Sequence, residues 1–149
     1  MKIHFIGAGG IGVSALAKYY LGKGYEVSGS DLSESEIIDA LKKMGAKIFI
    51  GHKAGHISDD ITKVIYSPAV KPANPEFKEA KKKKIQIQSY PEALGELTKE
   101  YFTVAVSGAH GKSTTTAMIG LLLAKAGLNP AVIVGTKLKE FGDSNFRMG

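Results

Sequence analysis

The feature that most constrains the fold is a strand, a glycine-rich loop and a helix in succession, a pattern that occurs twice. In the first occurrence, an apolar run at residues 3–6 leads through four glycines to apolar residues spaced by three and four from Val13 onward. In the second, residues 101–106 lead through residues 107–112 to a long stripe that starts at Thr115. A short apolar run followed by a helical stripe predicts a strand and then a helix.

The chain between the two loops also alternates between strand and helix patterns. Further strands are predicted at residues 25–30, 47–50, 63–66 and 85–88, and one more at 131–134. Helix starts are indicated by Ser33 with Glu36, Asn74 with Pro75, and Ser89 with Glu92. This order predicts an α/β fold. We expect a Rossmann-like parallel-sheet domain at residues 1–97 and the beginning of a P-loop α/β ATPase domain at residues 98–149.

The first loop has the pattern G-x-G-x-x-G at residues 7–12. Glycines at these positions permit a tight turn and a close approach of the backbone to a pyrophosphate, which the helix N-terminus attracts. Asp31 ends the second predicted strand, 19 residues after Gly12, where an acid commonly contacts a ribose hydroxyl. The motif therefore predicts binding of a dinucleotide or a nucleoside diphosphate and does not decide between them.

The second loop, at residues 107–114, contains the Gly-Lys-Ser core of a P-loop. In such loops the lysine contacts the β- and γ-phosphates and the serine hydroxyl binds Mg²⁺. Val106 stands where the full pattern has its first glycine. The flanking strand and helix patterns still favour a second phosphate-binding loop, with Lys112 and Ser113 in these two roles.

Together these motifs resemble those of the Mur ligases. The resemblance rests on residues 4–17, on residues 29–31, on residues 108–115, and on residues 66–70 followed by Asn74, Pro75 and Glu76. It extends along the whole chain but covers only the N-terminal portion of a three-domain enzyme. The family has a UDP-binding domain, a central ATPase domain and a C-terminal domain for the amino acid.

The resemblance implies an ATP- and Mg²⁺-dependent ligase that joins L-alanine to UDP-N-acetylmuramate through an acyl phosphate, in the synthesis of peptidoglycan precursors. Lys112 and Ser113 are the implied catalytic residues, with Ser113 as part of the Mg²⁺ site. The implied ATP-binding residues are Gly108, Ala109, His110, Gly111, Lys112, Ser113 and Thr114. The implied UDP-sugar-binding residues are Gly7, Gly9, Gly10, Ile11, Gly12, Asp31 and Ser67. We expect this chain to have no ligase activity by itself.

Four further residues need separate interpretation. Ala109 replaces the threonine that is usual in the family's P-loop, which predicts weaker contacts with ATP. His110 is equally consistent with contacting phosphate or the metal shell and with a purely positional role. His52 and His56 are four residues apart, but Gly51 and Gly55 disfavour the helix that a metal site at this spacing requires, so structural or solvent roles are predicted for both.

Composition and charge narrow the range of functions. The absence of cysteine excludes disulfides, thiolate metal sites and cysteine nucleophiles. The net charge of +6 comes with a single arginine, Arg147, and the lysines at residues 81–84 fit the end of a helix. We expect no nucleic-acid partner.

His4 and the glycines interrupt the apolar N-terminus, which argues against a signal peptide and predicts a cytoplasmic protein without a membrane partner. The second unit is predicted to expose apolar surface and to self-associate.

Other functions remain open at this stage. A NAD-binding regulatory or dehydrogenase domain would use the first loop and Asp31 but would leave the second loop unexplained. A non-catalytic nucleotide-binding module is a second alternative. Within the family, the related ligase that recycles murein peptides onto UDP-N-acetylmuramate is a further alternative.

Overall fold

The computed structural model describes residues 1–149, which form seven strands and five α-helices. Two short 3₁₀ turns, Ala54–His56 and Lys139–Phe141, add to these. In chain order the elements are β1 (Lys2–Ile6), α1 (Ile11–Gly22), β2 (Glu26–Asp31), α2 (Glu36–Lys43), β3 (Lys47–Ile50), β4 (Ile61–Tyr66), α3 (Pro75–Lys82), β5 (Gln86–Ser89), α4 (Tyr90–Lys99), α5 (Lys112–Lys125), β6 (Val132–Leu138) and β7 (Ser144–Arg147). None of the helices is long and apolar enough to cross a bilayer.

The first five strands form one parallel sheet in the order β3-β2-β1-β4-β5. Each strand overlaps a predicted one, and the predicted α/β fold with a parallel sheet is confirmed. The strand order reverses between β1 and β4, which end at Ile6 and Tyr66. At such a reversal the connecting loops leave the sheet on opposite faces, so a crevice opens beyond the carboxyl ends of the strands.

Helices cover both faces of this sheet, as the apolar composition of its central strands requires. Ile3, Phe5 and Leu16 belong to the larger core cluster, which includes residues of α1, α2 and α4. A smaller cluster, formed by β1, β4, α3 and the residue after the first 3₁₀ turn, contains Ile6, Ile57, Ile61, Val64 and Ala80. The strand that leads into the first glycine loop is therefore fixed from both sides.

The helix starts agree with the sequence patterns in two places and differ in one. The Asn74 side chain accepts hydrogen bonds from the first turn of α3, and Ser89 with Glu92 forms the predicted capping box of α4. The predicted cap of α2 by Ser33 is wrong. Ser35 is the N-cap, because its extended backbone lets its hydroxyl accept from the Ile38 N–H at 3.3 Å.

Residues 98–149, which we call the second part of the chain, depart from the prediction more strongly. Residues 101–106 form no strand, and the side chain of Phe102 is 99% exposed. A strand needs a neighbour to pair with its backbone N–H and C=O groups, and no segment of the chain pairs with this one. The predicted strand at residues 131–134 is confirmed as the start of β6, which pairs antiparallel with an unpredicted strand, β7.

The β6–β7 pair packs on α1 through contacts that we call the α1–β7 seam, made by Lys18, Ser144, Asn145 and Phe146. Lys18 Nζ donates to Asn145 Oδ1 at 2.7 Å and to Ser144 Oγ at 3.0 Å. Asn145 Nδ2 donates to the Ile11 carbonyl oxygen, and Phe146 joins the larger core cluster. The seam connects the second part of the chain to the start of the first helix.

Apolar side chains are exposed in the second part of the chain, as expected. They are Tyr101, Phe102, Val104, Met118, Leu122 and Leu128. Only Ala117 and Gly120 of α5 are buried, so most of the predicted helical stripe faces solvent. The expected self-association stays a prediction.

Candidate nucleotide-binding site

The first glycine loop joins β1 to α1 at the carboxyl edge of the sheet. The N–H groups of Gly7 and Ala8 both donate to the Ser30 carbonyl oxygen, at 2.8 and 2.9 Å, which fixes the loop to β2. The helix α1 begins at Ile11 after Gly10, whose lack of a side chain leaves the helix without a side-chain cap. The N–H groups of an uncapped first turn attract anions, and the positive end of the helix dipole adds to this attraction.

The glycines of this loop allow close approach as well as unusual backbone angles. Gly7 has φ +80°, and a Cβ there would lie 2.8 Å from Ser67 Cβ. A Cβ on Gly12 would lie 2.7 Å from the ring of Tyr90 in α4. The last glycine therefore permits close packing of α1 on α4.

A cleft of about 680 Å³ lies beyond the glycine loop, within the usual size range of small-molecule sites. Of the predicted UDP-sugar residues, Gly7, Gly9, Gly10, Asp31 and Ser67 line it. Ile11 and Gly12 do not, because they already belong to α1. The other lining residues are Leu32, Ser33, Ser35, His52, Ala69, Val70, Lys71, Asn74 and Pro75.

Asp31, at the end of β2, faces the glycine loop. Its Oδ2 accepts from the Gly9 N–H at 2.7 Å, and its Oδ1 accepts from the Leu32 N–H at 2.7 Å. A Cβ on Gly9 would lie 2.9 Å from the same Oδ2, so only glycine allows this approach. The carboxylate thus lies at the mouth of the cleft, next to the loop.

The second glycine loop leads into α5 and is exposed to solvent. Gly111 is the N-cap of α5 with φ +74°, and no side chain caps the helix. Lys112 Nζ lies across the loop and donates to the carbonyl oxygens of Gly108 at 2.6 Å and Ala109 at 3.2 Å. Ser113 is half-buried, and its Oγ lies 3.2 Å from the position that a Cβ on Gly135 would take.

The other predicted residues of this loop, His110 and Thr114, are exposed and make no side-chain hydrogen bond. No cluster of three or more His, Cys, Asp or Glu side chains has a metal-binding arrangement anywhere in the chain. The groups of the loop that are suited to a phosphate are therefore the Lys112 ammonium, the Ser113 hydroxyl and the backbone N–H groups at the start of α5.

A buried polar cluster behind the first cleft was not predicted. Glu76, in the first turn of α3, is fully buried and accepts from Ser30 Oγ at 2.5 Å. His52 Nδ1 lies 3.1 Å and His56 Nδ1 2.5 Å from its carboxylate oxygens, and His4 Nε2 lies 3.8 Å away. We call these five residues the Glu76 cluster.

The Glu76 carboxyl is ionised in this setting. Its burial raises the pKa, but His4, Ser30 and His56 lower it by more, so that its pKa is about 2. The Nδ1 atoms of His52 and His56 thus face a carboxylate, while His52 also lines the cleft. The only sequence signals were the two histidines and the glutamate after Asn74 and Pro75, and their separation in the chain concealed the contact.

The comparison with known protein families decides the family. The model described as "Mur ligase family, catalytic domain" matches residues 2–102, which is more than half of the chain. The chain belongs to the Mur ligase family.

The curated relatives of this Mur ligase chain include proteins named UDP-N-acetylmuramate–L-alanine ligase. The relative from Aquifex aeolicus is 51% identical over 148 residues, which is 99% of this chain and 32% of the relative. The relative from Sulfurihydrogenibium sp. is 47% identical over 149 residues, with the same two coverages. The chain thus spans about a third of the length of the curated relatives it matches.

Solved structures of Mur ligases share the fold. UDP-N-acetylmuramate–alanine ligase from Thermotoga maritima superposes with a TM-score of 0.94 at 36% identity, over 100% of this chain and 35% of that one. UDP-N-acetylmuramate:L-alanyl-gamma-D-glutamyl-meso-diaminopimelate ligase from Neisseria meningitides gives 0.88 at 27% identity, over 96% of this chain and 45% of that one. The arrangement of both sheets and both loops is therefore one that Mur ligases adopt.

Proposed function

We propose that this chain supplies the UDP-binding part and the first ATP-binding loop of a ligase that joins L-alanine to UDP-N-acetylmuramate. The observation that carries the proposal is the cleft at the uncapped N-terminus of α1, lined by Gly7, Gly9 and Gly10. The names of relatives that are 47–51% identical across 99% of the chain support this substrate.

The first cleft is suited to the diphosphate of a UDP-sugar. Glycines without side chains let phosphate oxygens approach the backbone N–H groups of the loop and of the first turn of α1. Asp31 lies at the end of β2, where a carboxylate accepts hydrogen bonds from ribose hydroxyls. Ser67, which follows β4 on the opposite side of the cleft, adds a hydroxyl donor.

The second loop suits the phosphates of ATP. The residues fit the group, because α5 has an uncapped N-terminus and the Lys112 ammonium already lies among carbonyl oxygens of the loop. Lys112 would leave the Gly108 and Ala109 carbonyl oxygens to neutralise γ-phosphate charge, and Ser113 Oγ would be one ligand of Mg²⁺. A bound Mg²⁺ supplies neutralisation of charge on the β- and γ-phosphates.

The proposed reaction has two steps. The lactyl carboxylate oxygen of UDP-N-acetylmuramate attacks the γ-phosphorus of ATP, forming an acyl phosphate as the bond to the ADP oxygen breaks. The nitrogen of L-alanine then attacks the acyl carbon, loses a proton, and displaces inorganic phosphate to leave an amide. Within this chain, the contribution to both steps is positioning and charge neutralisation.

The proposed organisation retains two functional units, residues 1–97 for the UDP-sugar and residues 98–149 for ATP. The second loop argues against a NAD-binding dehydrogenase, which has no use for Lys112 and Ser113. A solved relative that acts on a murein tripeptide has the lower TM-score and identity of the two described above. The alanine-adding reaction is therefore favoured over recycling.

Thermal unfolding in the presence of ligands tests this proposal. At a hundred times its dissociation constant, a ligand of the native state adds about 2.7 kcal/mol of stability, which corresponds to roughly 5–10 °C for a chain of this size. We expect UDP-N-acetylmuramate to raise the melting temperature and NAD to leave it unchanged. A shift with NAD and none with the UDP-sugar would overturn the proposal.

A pair of glycine variants locates the effect. Gly9→Ala places a methyl group 2.9 Å from Asp31 Oδ2, inside the cleft, and is expected to abolish the shift. Gly95→Ala is the matched control, because a Cβ there has no atom within 4 Å and Gly95 lies in α4, away from the cleft. An equal response of both variants to the UDP-sugar would place the binding site elsewhere.

A further inference from the structure

The hydrogen atoms of the Glu76 cluster can be assigned from its donors and acceptors. Ser30 Oγ donates its only hydrogen to Glu76 Oε2, so toward His52 Nδ1, 3.0 Å away, it can only accept. The ionised carboxylate of Glu76 also only accepts. His52 Nδ1 therefore carries a hydrogen in every charge state that keeps these contacts.

This assignment determines what His52 offers to the cleft. His52 lines the cleft, and its hydrogen bonds in the structure all involve Nδ1. The neutral ring then has a bare lone pair at Nε2, which repels an anion. With a second proton, the same nitrogen becomes a cationic donor.

We propose that Glu76 is a positioning residue that holds His52 with Nδ1–H toward the protein interior, so that Nε2 takes up a proton and donates to the diphosphate of the bound nucleotide. This inference rests on the proposed function, because it requires a nucleoside diphosphate in the cleft. It deepens that function by coupling ligand binding to the uptake of one proton by a named side chain.

The charges around His52 favour this coupling. Glu76 of α3 supplies a buried negative charge against the ring, and Asp31 of β2 places a second carboxylate in the same cleft. Lys71 is the lysine that lines the cleft, and its charge opposes protonation of His52. His4 of β1 lies nearest to the same Glu76 oxygen as His52, and His56 in the 3₁₀ turn contacts the other oxygen. A bound diphosphate adds negative charge next to Nε2, which shifts the balance toward the imidazolium.

Calorimetric titration with UDP-N-acetylglucosamine tests the coupling, because the diphosphate diester of this probe keeps its charge around neutral pH. Binding is measured from about pH 6 to about pH 8.5, the range in which histidines commonly lose their charge. We expect the affinity to decrease by about tenfold per pH unit at the upper end, since one proton is bound with the ligand. An affinity that is constant with pH would overturn the inference.

Three variants separate positioning from simple structural support. Glu76→Gln removes the charge behind the ring and is expected to flatten the pH profile and weaken binding near pH 6. His52→Gln keeps a neutral donor and is expected to bind independently of pH. His56→Gln is the matched control, because His56 contacts the same carboxylate but does not line the cleft, and it should keep the wild-type slope. A wild-type slope in His52→Gln, or a flat profile in His56→Gln, would contradict the proposal.

A measurement on the unmodified chain remains decisive if a variant fails to fold. Nitrogen chemical shifts of the histidine rings are expected to show neutral His52 as the Nδ1–H tautomer, and an Nε2–H tautomer would overturn the assignment. The outcomes also distinguish the two proposals. Binding without the expected pH slope refutes only the role of Glu76 and His52, whereas no binding of the probe at any pH refutes the UDP site and this inference together.

Discussion

Each of the two glycine loops lies between an apolar segment and a helix, but their surroundings in the structure differ. The first loop follows β1, whose residues Ile3, His4, Phe5 and Ile6 are all fully buried. The second loop follows residues 101–106, which have no strand partner and are mostly exposed. A glycine motif therefore determines the backbone shape of each loop, while the packing of the preceding segment determines how firmly that backbone is held.

The surrounding hydrogen bonds show the same difference. The first loop is bound to β2 through Ser30, whose side chain contacts the buried Glu76. In the second loop, the side-chain hydrogen bonds are those of Lys112 with two carbonyl oxygens of the loop itself. The first loop is therefore held more firmly by its surroundings than the second, which the following variants test.

The largest expected difference is in the free energy of unfolding lost when each of two phenylalanines that precede the loops is replaced by alanine. Phe5→Ala removes a fully buried ring and is expected to cost about 4 kcal/mol, whereas Phe102→Ala removes a ring that is 99% exposed and should change stability by less than about 0.5 kcal/mol. Urea denaturation measures both. Similar costs would mean that residues 101–106 are packed in solution, contrary to the comparison.

Alanine substitutions of one glycine in each loop are expected to show a smaller difference in stability. Gly7 and Gly111 have similar φ values of +80° and +74°, so an alanine at either has about 1–2 kcal/mol of backbone strain. Gly7→Ala also presses on Ser67, for a total of about 3 kcal/mol, while Gly111→Ala should cost about 1 kcal/mol because no atom lies within 4 Å of its Cβ. Equal costs in denaturation experiments would show that the second loop is as tightly surrounded as the first.

The α1–β7 seam connects the two regions, and its loss should affect mainly the second. Asn145→Ala leaves Lys18 Nζ without its 2.7 Å partner in a buried setting, at an expected cost of about 2–3 kcal/mol. Hydrogen exchange should then increase in β7 while β1 remains protected. Asn129→Ala is the control, since this exposed side chain accepts only from Arg147. Unchanged exchange in β7 after Asn145→Ala would show that the seam does not hold the regions together.

The smallest expected effect concerns acid stability. Folding lowers the pKa of Glu76 to about 2, so this group stabilises the folded state above its unfolded pKa, and the contribution disappears as the pH falls toward 2. We expect the wild type to lose about 2 kcal/mol of stability from this group between about pH 5 and pH 2. Glu76→Gln should lack that loss, whereas Glu140→Gln, at an exposed position in the second part, should keep it. Parallel pH curves for wild type and Glu76→Gln would contradict this.

The sequence predicted local structure best where that structure depends on residues close together in the chain. The capping box of Ser89 with Glu92 and the cap at Asn74 could be predicted, because both involve bonds within three residues. The strand at residues 101–106 was predicted wrongly, since apolar composition reports a tendency to be buried and not the presence of a partner strand. β7 was missed because its short polar sequence becomes a strand only through pairing with β6.

The residues of the candidate site likewise include some that the sequence predicted and some that it did not. Gly7, Gly9, Gly10, Asp31 and Ser67 were predicted and line the cleft. The Glu76 cluster was not predicted, because it unites β1, β2, α3 and the residues after β3, which are brought together only by the order of strands in the sheet. Motifs thus locate the backbone that faces a ligand, and the fold determines which side chains support it.

The position of the α1–β7 seam in the chain has a consequence for synthesis on the ribosome. Asn145 lies 134 residues after its partner Ile11, so this contact cannot form until residue 145 has been made. The parallel sheet and its covering helices end at Lys99 and can pack earlier, since domains fold largely in the order in which they emerge. A nascent chain can therefore complete the cleft beyond the first glycine loop before the seam closes over α1.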